Sequence, residues 1–401
     1  MSLARGHVPE LDGLRGWACG SVLIAHTLTG IMGAPEGPLG ELVKWWNTHT
    51  IWIFLHGVDL FFVLSGFLVG GILLDSKHKE YFFAHFWIRR AARILPVAYA
   101  VVLSYAIALM VTQALGVKRF DGWLLADPKP PIWSLLLFIQ SWWFALGGAN
   151  GPRWIAMSWS LAIEEQFYVF FPVLVFLLRR RAIVILALAG VLIAPVLRDV
   201  FYHVFGNWYA PYVLLPSRMD SLFWGVLAAL ILRHPPSLEL ARSMRGVLDL
   251  IAFLILWSIW VNWVFPYWSG PPSPHAPLRG TFVGVLGAIL ILRIFLHERS
   301  LLNAFWRNAW LAKLGLISYG LYMYHQAVNG VVHGLLFVQE PTIKSIPQLF
   351  AAFAVIIISI AISVVSYVYM EKPIRRWATK VSDKLRNRET PDAAQPIPAN
   401  A

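Results

Sequence analysis

The sequence predicts an all-α polytopic membrane protein of about ten transmembrane helices with N- and C-termini cytoplasmic. Three observations carry this. Only 13% of the residues are charged, where a soluble domain carries about 25%. Apolar runs of about 20 residues, the length that crosses a bilayer, recur along most of the chain and lift the mean hydropathy to +0.63. The lysines and arginines cluster in alternate loops between those runs, as the positive-inside rule requires. That distribution accounts for the net charge of +12 without nucleic acid as a partner.

The predicted spans run 14–34, 52–74, 94–116, 160–178, 182–204, 212–232, 247–267, 280–296, 314–337 and 348–370. A further apolar piece, 132–146, is short and flanked by Pro- and Gly-rich sequence. Counted as a span, it would send Arg179–Arg181 outward and invert much of the charge asymmetry. Segment 117–159 is therefore read as a long outer excursion that re-enters the membrane or lies along its interface. The clusters at Lys77–Arg90, Arg179–Arg181, Arg233–Arg245, Arg299–Lys313 and Lys372–Lys380 then all face the cytoplasm, and outer loops keep scattered cations such as Lys44, Arg153 and Lys344. No internal repeat is evident. Residues 1–380 are assigned to the membrane domain, and 381–401, rich in Pro, Ala and Asn, to a disordered cytoplasmic tail. The single cysteine, Cys19, lies in the first run and leaves no intramolecular disulfide to form. The N-terminus does not read as a cleaved signal peptide, and no soluble domain is expected at either end.

The first span, ELDGLRGWACGSVLIAH, carries Arg15 and His26 eleven residues apart. On an α-helix this is about 16 Å of rise and returns both to nearly the same face. Arg15 then sits at one membrane surface and His26 near the midplane, where an ionisable group marks a functional site. In the second span Asp59 lies about two turns inside the outer end, so it must pair or line a wet cavity. Ser65-Gly66 and Gly70-Gly71 suit close helix contact. The stretch FWIRRAARILP places Arg89 and Arg93 on one helical face beside Arg90. Each arginine could serve only as a positive-inside anchor, but guanidinium forks also bind phosphates, and with Arg15 the cluster could hold a nucleotide-like cofactor. Pro96 suits the first turn of the third span.

In MSWSLAIEEQFYVFFP, Ser160, Glu164 and Tyr168 share a face that would suit a sugar or other polyol, although acids near a helix N-terminus also complement its dipole. Ser217 and Asp220 have the spacing of a helix-capping pair. Arg218, a cation opposing the dipole there, needs a carboxylate partner or an anionic ligand. His325 lies mid-membrane among Tyr319, Tyr322 and Tyr324, with structural and functional readings both open; His203 and His333 are read as structural or interfacial. No metal-ligand spacing, Gly-rich phosphate loop or nucleophile elbow is present.

These segments together resemble the acyltransferase-3 family of integral membrane acyltransferases, which includes bacterial enzymes that O-acetylate lipopolysaccharide O-antigen, exopolysaccharide, Nod factors and some macrolides. The matching pieces are LDGLRG (11–16) with Arg15 and His26 at R-x10-H spacing, GVDLFFVLSGFL (57–68), RRAARILP (89–96), SLAIEEQFY (160–168), RMDSLFWG (218–225), SYGLYMYH (318–325) and EKPIRRW (371–377). Each is weak alone; in this order across the chain they are specific. The resemblance implies an acyl-CoA donor taken from the cytoplasm, His26 as catalytic, and importance for Arg15 and the arginine pair after the second span. Some relatives carry a fused extracytoplasmic esterase-like domain; this chain looks like the stand-alone form, acting alone or handing its acyl group to a separate extracytoplasmic protein.

The expectation is thus a bacterial inner-membrane O-acyltransferase moving an acyl group, most economically acetyl, from acetyl-CoA or another acyl-CoA to a cell-envelope or exported carbohydrate. Arg15, Arg89, Arg90 and Arg93 would hold the donor. His26 would act as general base or as nucleophile, with Glu164 and Asp59 as its catalytic partners. Ser160, Tyr168, Arg218, Asp220 and His325 would line the acceptor side. The competing class is a glycan or lipid transporter with a polar intramembrane site.

Overall fold

The computed structural model describes residues 7–28, 40–41, 54–264, 278–297, 300–337, 341, 343 and 345–387. The end of the first predicted span (29–34), the start of the second (52–53), the end of the seventh (265–267), the cations Lys44, Arg299 and Lys344, and tail residues 388–401 lie outside them. The described chain is helical and contains no strand. Its principal helices are α1 (Pro9–Leu28), α2 (Gly57–Ser76), α3 (Phe82–Ala114), α4 (Ser158–Leu177), α5 (Arg180–Phe205), α6 (Leu215–Leu232), α7 (Arg245–Val264), α8 (Arg279–Leu296), α9 (Ala309–Phe337), α10 (Ile346–Ser366) and α11 (Lys372–Asn387).

The first ten overlie the ten predicted stretches. Among the described residues, six helical segments are long and apolar enough by themselves to cross a bilayer: Gly57–Ser76, Phe82–Ala114, Arg153–Leu177, Arg180–Phe205, Ala210–Leu232 and Ile346–Leu385. The chain is therefore a multi-pass membrane protein. Neither α1 nor α9 is among the six. α1 opens on Glu10, Asp12 and Arg15, and α9 carries Tyr322, His325, Gln326, Asn329 and His333. Those α9 groups are buried in the bundle, where protein rather than lipid meets them.

Three expectations are corrected. α3 starts at Phe82, well before position 94, so the basic RRAAR stretch is not a loop but part of the same helix as the apolar span. Buried Phe82 and Phe86 anchor the early turns, and Pro96 falls inside the helix rather than in its first turn. The Ser217–Asp220 cap does not form. α6 begins at Leu215 with a proline in its first turn, and Ser217 Oγ instead donates back to Leu214 O at 2.8 Å. The final helix, α11, continues to Asn387, past position 381 where the tail was expected to begin.

Segment 132–146 holds two helices, Ile132–Leu136 and Ser141–Gly147, of five and seven residues, too short to cross. The excursion packs on the latter half of α9, where Trp123 Nε1 donates to Gln326 O at 3.0 Å.

Two parallel helix pairs form the centre. In α1 and α9 the contacts rise together along both helices, from Gly16 against Leu311 and Gly315 through Cys19 against Ser318 to His26 against His325. α2 and α6 pair in the same sense, with Asp59 at Arg218, Gly66 at Leu222 and Asp75 at Arg233. A Cβ on Gly66 would lie 1.9 Å from Leu222 O, and one on Gly225 2.0 Å from Val63 O. Because both obstacles are backbone, Gly66→Ala is expected to force the helices apart and destabilise by about 1–3 kcal/mol or more. A fall in thermal midpoint in detergent checks this; an unchanged midpoint contradicts the contact.

Candidate active site

Helices α1, α2, α3, α4 and α9 enclose a central cavity of about 90 Å³. This is well below the roughly 300 Å³ at which a pocket takes a whole drug-sized molecule, so the cavity admits a slender chain and little more. Its lining carries three guanidiniums, Arg15, Arg90 and Arg93, against one carboxylate, Glu164. Arg15 Nη1 donates to Asp12 Oδ1 at 2.7 Å, a pair three residues apart on α1 that fixes the arginine's direction. The Arg90 guanidinium lies over the Tyr168 ring at 5.1 Å and the Phe86 ring at 5.6 Å. The Tyr168 hydroxyl donates to Glu164 Oε2 at 3.1 Å and meets Ser65 Oγ. Elsewhere on the wall the Ser160 and Tyr322 hydroxyls are 2.7 Å apart.

Tyr322, which lines this cavity, also neighbours a pair of histidines, its ring centroid 6.0 Å from that of His325. His325 Nε2 lies 2.9 Å from His26 Nδ1, with the two rings 9° from parallel. His325 Nδ1 faces Tyr322 O at 2.7 Å and Leu321 O at 3.2 Å, carbonyls of its own helix. His325 is 1% exposed, and His26 is half-buried. One and two turns further along α9, Asn329 and His333 are buried too. Among the described residues, Asn329 Oδ1 and both His333 ring nitrogens have no hydrogen-bond partner, the condition in which buried polar groups take up water.

Of the residues singled out in the sequence, Arg15, Arg90, Arg93, Ser160, Glu164 and Tyr168 line one cavity. His26 and His325 meet each other just beyond it. Arg89 points elsewhere, pairing at 3.1 Å with Asp383 of α11 on an exposed surface. Asp59, Arg218 and Asp220 belong to a separate buried network. Arg218 bonds Asp59, which also takes His56 Nδ1 at 2.8 Å. Arg198 of α5 bonds Asp220, and Thr281 of α8 donates to the same carboxylate at 2.6 Å. Arg218 stacks over Phe62, Trp159 and Tyr212. Phe62 also walls the cavity, so the network stands one aromatic ring behind it. The partner that Arg218 requires is thus a carboxylate of the chain itself.

Tyr322, Arg198 and Glu371 join the picture without having been assigned a role, and Ser65, read as a helix-packing residue, lines the cavity and meets the Tyr168 hydroxyl. Arg198 had a readable signal, an arginine deep inside an apolar run. Glu371, 2% exposed, closes a π-helical turn, Tyr367–Glu371, a local distortion common at functional sites. Among the described residues, no group of three His, Cys, Asp or Glu could hold a metal.

The family model described as an acyltransferase domain, that of acyltransferase-3, matches residues 8–368. The chain is 30% identical over 389 residues to the Bacillus subtilis protein named "Putative peptidoglycan O-acetyltransferase YrhL", covering 92% of this chain and 55% of that one. It is 26% identical over 396 residues to Peptidoglycan O-acetyltransferase OatA of Listeria monocytogenes, covering 93% and 56% respectively. The chain thus spans little more than half the length of these relatives. No solved structure matches it significantly. The match runs from the start of α1 through α9 and α10, taking in both histidines and all three cavity arginines, and the chain belongs to the acyltransferase-3 family of integral membrane acyltransferases.

Proposed function

We propose that the chain is an O-acyltransferase of the cytoplasmic membrane, crossing it about ten times with both termini inside. It takes an acyl group, most economically acetyl, from acyl-CoA and passes it to a hydroxyl of a cell-envelope carbohydrate. The observation that carries this reading is the cavity, with its excess of guanidiniums and a histidine pair just beyond Tyr322. Arg15, Arg90 and Arg93 suit the donor's phosphates, and the narrow space suits its pantetheine arm. At the thioester, His26 takes the proton of the acceptor hydroxyl. The oxygen attacks the carbonyl carbon, the C–S bond breaks, and the departing thiolate recovers that proton, so the reaction is balanced without a net proton change. The polar line of Asn329 and His333 suits approach of the acceptor from the other side. The relatives' names make a peptidoglycan hydroxyl the first acceptor to test. The same names weigh against the transporter alternative.

The test supplies radiolabelled acetyl-CoA to inside-out membrane vesicles and follows label into envelope glycan, beside the thermal stability of the purified protein with CoA. A ligand that binds only the folded state stabilises it, by about 2.7 kcal/mol at a hundred times its Kd. The absence of both transfer and stabilisation would overturn the proposal. Arg93→Gln is expected to raise the KM for acetyl-CoA by roughly 10- to 100-fold, the worth of one charge-assisted phosphate contact, with a smaller change in kcat. An unchanged KM and an unchanged CoA shift would remove Arg93 from the donor site.

A further inference from the structure

We infer that His325 is a positioning residue that fixes the tautomer of His26, leaving His26 Nε2 as the basic atom. The inference rests on the acyl-transfer reading above. It follows from counting donors and acceptors along a chain of three groups. The carbonyl oxygens of Tyr322 and Leu321 can only accept, so His325 Nδ1, 2.7 and 3.2 Å from them, carries a hydrogen. Among the described residues neither imidazole is bonded to a carboxylate, and an uncompensated imidazolium buried here would be unfavourable. In the neutral ring a hydrogen on Nδ1 leaves a lone pair on Nε2. His325 Nε2 is therefore an acceptor, and the only group bonded to it among the described residues is His26 Nδ1 at 2.9 Å. His26 must supply that hydrogen, so its Nδ1 is protonated and its Nε2 is not.

His26 Nε2 has no hydrogen-bond partner among the described residues, and the ring is half-buried. A lone pair is thus held ready for an acceptor hydroxyl. The near-parallel rings, 9° apart, also hold the imidazole plane. When Nε2 gains a proton during transfer, the donated Nδ1 bond to His325 strengthens, so the base is stabilised as it becomes charged. The nearer of the two backbone carbonyls that set this state belongs to Tyr322, whose side chain both lines the cavity and neighbours the His325 ring. Donor access and base orientation therefore arise from the same turn of α9.

The test compares wild type, His325→Leu and His325→Gln in vesicles supplied with radiolabelled acetyl-CoA and their own envelope glycan. It adds 15N spectra of histidine-labelled protein, with His26 identified from the signal lost in His26→Gln. His325→Leu is expected to lower the maximal rate by roughly 100-fold, with the donor KM and the CoA-induced stabilisation unchanged. His325→Gln, whose amide oxygen accepts the same hydrogen, is expected to return the rate to within about tenfold of wild type. In wild type, His26 should show a protonated Nδ1 and a bare Nε2. Wild-type turnover in His325→Leu, a His325→Gln that folds but is as slow as His325→Leu, or a His26 protonated on Nε2 would each overturn the inference. Should His325→Leu fail to fold, the wild-type spectrum decides by itself. Activity surviving in His26→Ala would instead bring down the acyl-transfer reading, whatever His325 does.

Discussion

His26→Ala is expected to lower acyl transfer by roughly 100- to 10,000-fold, the range associated with loss of a positioned acid–base group. The protein should stay folded, because the ring is half-buried and, among the described residues, its side chain makes one hydrogen bond, to His325. Leaving His325 Nε2 without its donor costs about 1–3 kcal/mol at most, and water can enter the vacated space. CoA is expected to stabilise the variant and wild type alike, since Arg15, Arg90 and Arg93 line the cavity and His26 does not. Label incorporation and thermal midpoints with and without CoA provide the check, and turnover near wild type refutes the role. The same preparation separates base from nucleophile. An acyl-imidazole would leave label on denatured wild-type protein in the absence of acceptor and none on His26→Ala.

Asp59→Ala should be the most destabilising single change in the buried ionic network. Arg218 is 6% exposed and Asp59 2%, so removing the carboxylate strands a guanidinium that neither water nor the neighbouring rings can neutralise. Breaking such a pair from one side costs about 3–5 kcal/mol, read as a large drop in thermal midpoint or in folded yield. The double variant Asp59→Asn with Arg218→Gln removes both charges and keeps hydrogen-bonding groups, so much of the loss should return. Its activity then decides what Asp59 does. A folded double variant with near wild-type transfer makes the pair a brace between α2 and α6. A folded variant without transfer gives Asp59 the catalytic part that its depth in the membrane suggested.

Much of the site was legible because it obeys helix arithmetic. Arg15 with His26, Arg90 with Arg93, and Ser160 with Glu164 and Tyr168 each sit on one helix, where spacing fixes facing. What spacing cannot give is the partner on another helix. His26 and His325 are 299 positions apart, and nothing local to either says that they touch. Asp59 lies 159 positions from Arg218, so the need for a counter-ion was readable but its identity was not. Arg89 was grouped with Arg93 by their four-residue spacing on one helical face, yet Arg93 lines the cavity with Arg90 and Arg89 does not. Consecutive helical residues diverge by about 100°, enough to send Arg89 to Asp383 while Arg90 turns to Tyr168. The Ser217–Asp220 cap failed for a related reason: where α6 begins decides whether that spacing spans a cap or an interior turn.

The continuity of α3 has a consequence for how tightly the site can be placed. Its 33 residues make a rod about 50 Å long, beyond the roughly 30 Å of a bilayer's hydrocarbon. Near its start, His85 meets Ser382 and Arg89 meets Asp383 of α11, and further along it presents Arg90 and Arg93 to the cavity. Because strut and span are one continuous helix with Pro96 inside it, each guanidinium has an angular address on a single shaft. One inserted residue would turn everything on one side of it by about 100° relative to the other and advance it by only about 1.5 Å. The direction in which Arg90 and Arg93 face the cavity is therefore set by rotation, in the way a key's teeth are set by the turn of its stem.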